Sequence, residues 1–140
     1  MSRPTLWELR KAVKTTIANY CTVPLNQYGV VEDMGETPAV IVEPRSADYE
    51  GAFGGRSDVW SFNLFVVVAR TDADSNYAEL DELISGSGDG SIVTALRDHS
   101  DLGIDGVTAT VKSMTGYGGS FQWYGEPHTG AILRVEILVD

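Results

Sequence analysis

The stretch Asp58 to Ala69, DVWSFNLFVVVA, constrains the fold more than any other part of the chain. Successive side chains of an extended backbone point to opposite faces. Trp60, Phe62, Leu64, Val66 and Val68 therefore share one face, and Val59, Ser61, Asn63, Phe65, Val67 and Ala69 the other. The first of these faces is wholly apolar, so a central strand is expected whose inner side must be covered by other elements. The chain has 140 residues, 43% hydrophobic and 21% charged, which is enough to supply that cover from a single core, and residues 1–140 are expected to form one domain.

The covering elements are legible on either side. Thr5 and Glu8 have the spacing of a capping box, and Leu6, Leu9, Val13, Ile17 and Tyr20 recur at helical intervals, which predicts a helix from Leu6 to Tyr20. Pro24 and turn residues around Asn26 and Gly35 interrupt it, and AVIVE after Pro38 reads as a short strand. TDADS, Thr71 to Ser75, caps a second helix in which Tyr77, Leu80, Leu83 and Ile84 share a face. A third, short helix is expected from about Ser91 to Asp98, with Ile92, Ala95 and Leu96 as its stripe. Strands follow over Val107 to Met114, over Phe121 to Tyr124 after a turn at Gly116 to Gly119, and over Ala131 to Val139. This order predicts an α+β fold, a mixed and mostly antiparallel β-sheet with α-helices packed against one face.

Motifs that carry chemistry fail on inspection. ISGSGDGSIV, Ile84 to Val93, spaces glycines like a phosphate-binding loop, but no Lys follows Gly90, Asp89 would repel a phosphate, and a helix precedes it in place of a strand. It reads as a flexible joint between two helices. Asp72, Asp74 and Asn76 open like a calcium loop, yet Tyr77 stands at the tight-turn position and the closing carboxylate is displaced to Glu82. Glu79, Asp81 and Glu82 have no histidine at helical spacing and read as a solvated face. His99 and His128 lie in expected loops without metal-ligand partners, Ser57 and Ser120 lie in no nucleophile elbow, and Cys21 reads as a buried structural thiol. No catalytic residue, cofactor or metal is expected, and the chain is read as not an enzyme.

The totals narrow the partners. Twenty acidic residues against ten basic ones give a formal charge of −10, which opposes the electrostatic attraction that dominates nucleic-acid binding. The longest apolar run, LFVVVA, is far short of the roughly 20 residues that cross a bilayer, and no leader is recognised at the N-terminus. A single cysteine permits no internal disulfide. What stands out is a set of aromatic and arginine side chains in expected arms or loops: Arg45, Tyr49, Phe53 and Arg56 in and beside ADYEGAFGGR, and Tyr117, Phe121, Trp123 and Tyr124 after the glycine turn. Such residues anchor protein interfaces, and they equally cap the ends of cores. Both readings stay open.

The layout resembles a known family. The capped N-terminal helix, TPAVIVEP, DYEGAFGG, DVWSFNLFVVVARTD, SGDGSIVTALRDHSDLG and the closing VTATVKSMTGYGGSFQWYGEPHTGAILRVEILVD together resemble the tail terminator proteins of long-tailed phages of actinobacteria, over nearly the whole chain. The resemblance implies a structural virion protein, made in the host cytoplasm and placed at the head-proximal end of the tail. It implies a six-membered homo-oligomeric ring that halts addition of the major tail tube protein and presents a surface to the connector or head-closure protein, with DNA passing through unbound and no membrane involved. A ring uses two different patches per subunit, and the arms at 45–57 and 116–130 are the candidates for subunit or tube contact. The alternatives are another neck protein, for head closure or joining, and a small-ligand-binding α+β domain or enzyme.

Overall fold

A computed structural model describes residues 4–22, 26–28, 38–49, 57–68, 73–123 and 126–140, with the backbone alone at 26, 28, 73–76, 121–123, 126 and 127. The elements run α1 (Leu6–Tyr20), β1 (Asn26–Tyr28), β2 (Ala39–Asp48), β3 (Asp58–Val68), α2 (Ala73–Ile84), α3 (Ile92–Asp98), β4 (Val107–Trp123) and β5 (Glu126–Val139). The strands make one sheet in the order β1-β2-β3-β5-β4, antiparallel throughout except for the parallel β1–β2 pair. This is the expected α+β architecture, and the strand with the apolar face is its centre.

α1 and α3 begin where the sequence places them, whereas α2 begins at Ala73, inside the stretch read as its cap, with Thr71 and Asp72 outside the described residues. Thr5 Oγ1 accepts from the Glu8 N–H (3.2 Å) and Glu8 Oε1 accepts from the Thr5 N–H (3.1 Å), so two N–H groups that the helix itself cannot satisfy are paired. Ser91 caps α3 by accepting from the Thr94 N–H at 3.1 Å. Leu9, Val13 and Ile17 of α1, Leu80 and Leu83 of α2, and Ile92 and Leu96 of α3 are fully enclosed against Val40, Val42, Phe62, Leu64, Val66 and Val68. Ala131, Leu133, Val135, Ile137 and Val139 of β5 continue the same layer. All three helices thus lie on one face. On the other face Ala39, Ile41 and Val67 form a separate small cluster with Phe65 beside it.

Three expectations are corrected. Gly116 to Gly119 is not a turn between strands: β4 continues through it as one 17-residue strand. Thr115 pairs with Ile132 and Gly119 with Gly130, so four steps of β4 face two of β5 and two extra residues bulge out. Gly116 (φ 66°) and Gly118 (φ 72°) adopt the left-handed conformation that only glycine takes without strain, which lets the ladder resume instead of reversing. Second, the strand after Pro38 runs on past Pro44 to Asp48. Proline is tolerated because β1 pairs only with Ala39, Val40 and Ile41, leaving that side of β2 without a β1 partner for an N–H to meet at 44. Third, Asn26 to Tyr28, expected as turn, adds a short parallel strand, and Gln27 Nε2 ties it to α1 by donating to the Lys14 carbonyl at 2.9 Å.

Phe62 is the largest fully buried side chain among the described residues and sits on the central strand opposite Pro44 and Val135. Phe62→Ala is expected to lower unfolding free energy by about 3–5 kcal/mol, measured by urea denaturation with an unchanged m-value.

Candidate functional site

The two aromatic arms leave the sheet at opposite ends. Asp48 pairs with Val59, Asp58 with Val139, and Val139 with Val107, so the first arm departs where β4 begins. Val68 pairs with Thr129 and Thr129 with Ser120, so the second arm begins where β3 stops. The 11 residues of β3 separate them, roughly 35 Å at the usual strand rise. The arms therefore do not converge on a single patch.

Within the first arm, Arg45 is the unpaired residue of a bulge: Pro44 faces Phe62 and Ser46 faces Ser61. The extra residue bends the strand and leaves Arg45 exposed. Tyr49 is 62% exposed, yet its ring stands edge-on to Trp60 with centroids 5.9 Å apart at 87°. Trp60 in turn packs on the main core. Tyr49 thus combines both expectations, closing one end of the core while presenting most of its surface to water. Phe53 and Arg56 lie outside the described residues.

In the second arm, Tyr117 occupies the bulge between Gly116 and Gly118. Its hydroxyl donates to Asp81 Oδ1 at 2.5 Å, and its ring lies 5.8 Å from that of Tyr77. A Cβ on Gly118 would stand 3.1 Å from the Tyr77 hydroxyl oxygen, tighter than ordinary contact, and the left-handed backbone there (φ 72°) itself favours glycine. The bulge therefore clasps the edge strand to α2, and Tyr117 is held to the body. The Asp81 hydrogen bond first, then desolvation and the nearby negative charge, raise the Tyr117 pKa above the ordinary value of 10.0. Phe121 and Trp123 fall in β4 opposite His128 and Glu126, with side chains outside the description, and Tyr124 lies outside the described residues.

The glycine-rich joint is built for neither phosphate nor looseness. Its carbonyls are taken up: Gly86 O by the Arg97 guanidinium (3.2 Å), Asp89 O by the Thr22 N–H (2.9 Å) and Gly90 O by the Cys21 thiol (3.3 Å). The Ser91 hydroxyl donates to the Ser85 carbonyl. A Cβ on Gly90 would fall 2.2 Å from Glu82 Oε1, so a carboxylate occupies the ground an anion would need. The expected joint is present, but it is pinned where flexibility was expected, because Cys21 and Thr22 at the end of α1 hold it. Cys21 is the buried structural thiol anticipated.

His128 lies in β5 and not in a loop, since the ladder extends through Phe121. His99 ends α3 and stacks on Tyr20 with centroids 3.4 Å apart. Among the described residues no group of His, Cys, Asp or Glu is arranged to hold a metal, and no helix is long and apolar enough to cross a membrane. Ser57 donates to Asp140 at 2.8 Å, which ties the start of β3 to the residue after β5. One exposed aromatic escaped the sequence reading. Trp7, on the outer side of α1, is 66% exposed, and its displacement from the Leu9, Val13, Ile17 stripe was the available signal. No protein-family model matches the chain, and no curated protein matches its sequence.

Tyr49→Ala is expected to leave the fold intact and cost about 1 kcal/mol, the worth of an edge-on aromatic pair, by thermal denaturation. Asp81→Asn is expected to lower the ionisation pH of Tyr117 back toward 10.0, followed by NMR of the ring. The sign is that of a raised native pKa: the stabilisation is fully present below the unfolded tyrosine value and is lost as pH rises through the native one.

Proposed function

We propose that this chain is a tail terminator: a structural virion protein that caps the growing tail tube as a ring, stops its elongation and offers a surface to the head. The observation that carries the reading is the placement of the two arms, which emerge from opposite ends of one sheet. A subunit inserted between two different partners needs one contact region toward each. Arms at opposite poles meet that need: Arg45 and Tyr49 at one, and the β4–β5 hairpin beyond Ser120 and Thr129 at the other.

The sequence resemblance supports the same reading, and charge is consistent with it. Six copies would carry a formal charge of about −60, six times that of one chain, and a ring lined by such charge lets DNA slide without releasing counterions. In this reading Tyr117, clasped to Asp81, keeps the base of the second arm rigid, so that the hairpin tip is presented from a fixed platform.

The test is the tail-length distribution, by electron microscopy, in lysates of the encoding phage with this gene disabled. Overlong tails of uncontrolled length are the expected result. Tails of normal length that fail to join heads would shift the protein to the joining step, and normal infectious particles would refute a role in the neck altogether.

A further inference from the structure

The helical roof stops short of the outer strand. α3 packs against β4, and α2 over β3 and β5, so Val107 and Ala109 at the start of β4 are each only 4% exposed. Further along, Met114 faces Leu133 across the ladder, and directly opposed residues share a face, which sets Met114 on the helix side of the sheet. Leu133 is buried there, yet Met114 is 41% exposed. Tyr117 and Tyr77, whose rings meet on the same side, are exposed as well. A thioether and two phenol rings therefore stand uncovered where the roof ends, and side chains of this kind anchor interfaces.

β4 is also the last strand of the sheet, and among the described residues no strand pairs with its outer side. Ala109 gives its N–H to the Ser100 carbonyl at 2.7 Å, so the loop after α3 closes the edge as far as that residue. The open stretch runs from Thr110 to Thr115. A lysine is one of the usual guards of such an edge, but Lys112 is drawn across the sheet to Glu136, its Nζ 3.7 Å from Oε1. Exposed carboxylates stand at both ends of the stretch. Asp101 follows Ser100 and is thereby set beside Ala109, and Asp81 is bonded to Tyr117 just past Thr115.

We propose that the outer edge of β4, from Thr110 to Thr115, is a docking site for an extended segment of a different protein. The segment adds a strand beside β4, covers Met114 with an apolar side chain, and carries a Lys or Arg toward Asp101 at one end and Asp81 at the other. In strand addition of this kind main-chain hydrogen bonds supply the attachment, and the side chains at alternate positions supply the selection. Charge decides against a second copy as the occupant. Each copy carries −10 overall, and three of its ten basic residues, Arg10, Lys11 and Lys14, lie on α1, whose backbone is already paired within a helix. The inference goes beyond the tail reading and does not rest on it, since the edge is open whichever protein supplies the segment.

The full chain, isotope-labelled, would be titrated by NMR with an acetylated and amidated peptide that alternates Thr with Val or Leu and ends in Lys at both termini. Saturable binding is expected, shifting the amides of Val111 and Met114 and slowing their hydrogen exchange, while those of Leu9, Val13 and Ile17 stay unmoved. The same peptide ending in Glu is expected to bind at least about tenfold more weakly, and one N-methylated so that it cannot pair with an edge is expected not to bind. Met114→Ser, at an exposed position, is expected to keep the wild-type spectrum elsewhere and to weaken binding at least about threefold. The site is overturned by an absence of saturable binding, by shifts that map to α1 or β2, or by equal affinity for the Lys-ended and Glu-ended peptides. Binding that survives N-methylation or is untouched by Met114→Ser overturns it too, as do dilution-dependent shifts of Val111 and Met114 without peptide, the sign of a second copy. None of these results bears on tail length, which the micrographs judge separately.

Discussion

Everything in this molecule depends on covering one face of β3. Phe62, Leu64, Val66 and Val68 are fully or almost fully removed from water, and burial of that apolar surface is the dominant favourable contribution to folding. β3 has a strand on each side, so no edge relieves the constraint. The three helices are the cover, and their capping residues and apolar stripes exist to hold it in place. Cys21 and Gly90 illustrate how tightly the cover is drawn: the thiol at the end of α1 donates to a carbonyl at the start of α3, joining two pieces of the roof 69 positions apart in sequence.

With the inner face committed, the molecule varies its surface through irregularities in the sheet. Each described bulge does local work. The one at Arg45 leaves a cation outside the ladder and exposed, where a regular strand would have set it opposite Ser61. The one at Tyr117 brings an edge strand under a helix that packs mainly on its neighbours, and a single hydroxyl-to-carboxylate bond closes the gap. A smaller shift between Val111 and Ser113 ends the burial of β4, after which Met114 is exposed. The sheet is therefore regular where it is buried and irregular where it faces outward.

Much of this was legible from residues alone, for physical reasons. The bounds of α1 follow from a reciprocal cap and a clean apolar stripe, and β3 follows from alternation, both being local signals that the fold then reinforces. β1 was invisible because three polar residues, Asn26 to Tyr28, have no period to show; only the exposed edge of β2 makes them a strand. The glycines at 116 and 118 were misjudged because the same left-handed preference serves a reversal and a bulge, and the choice is made by how many residues β5 places opposite. Trp7 was passed over, and the positive face of α1 with it, because a net charge summed over the chain conceals a helix of contrary sign. The opposed arms could not be read at all, since their separation arises from the β3–β5 pairing.

That pairing has a consequence for how the chain is made. β3 hydrogen-bonds on one side to β2, where the partners run from Asp48 facing Val59 to Ala39 facing Val67, but on the other to β5, where Asp58 faces Val139. Contacts of such long separation form slowly because a large loop must close first. During synthesis the central strand therefore waits with one edge unpaired while α2, α3 and β4 emerge, and an unpaired apolar strand is a template for the wrong partner. β4 and β5, adjacent in sequence, pair locally and dock as a unit. The step expected last in folding is then the insertion of a ready-made hairpin beside β3, which would place the vulnerable interval between the appearance of residue 68 and that of residue 139.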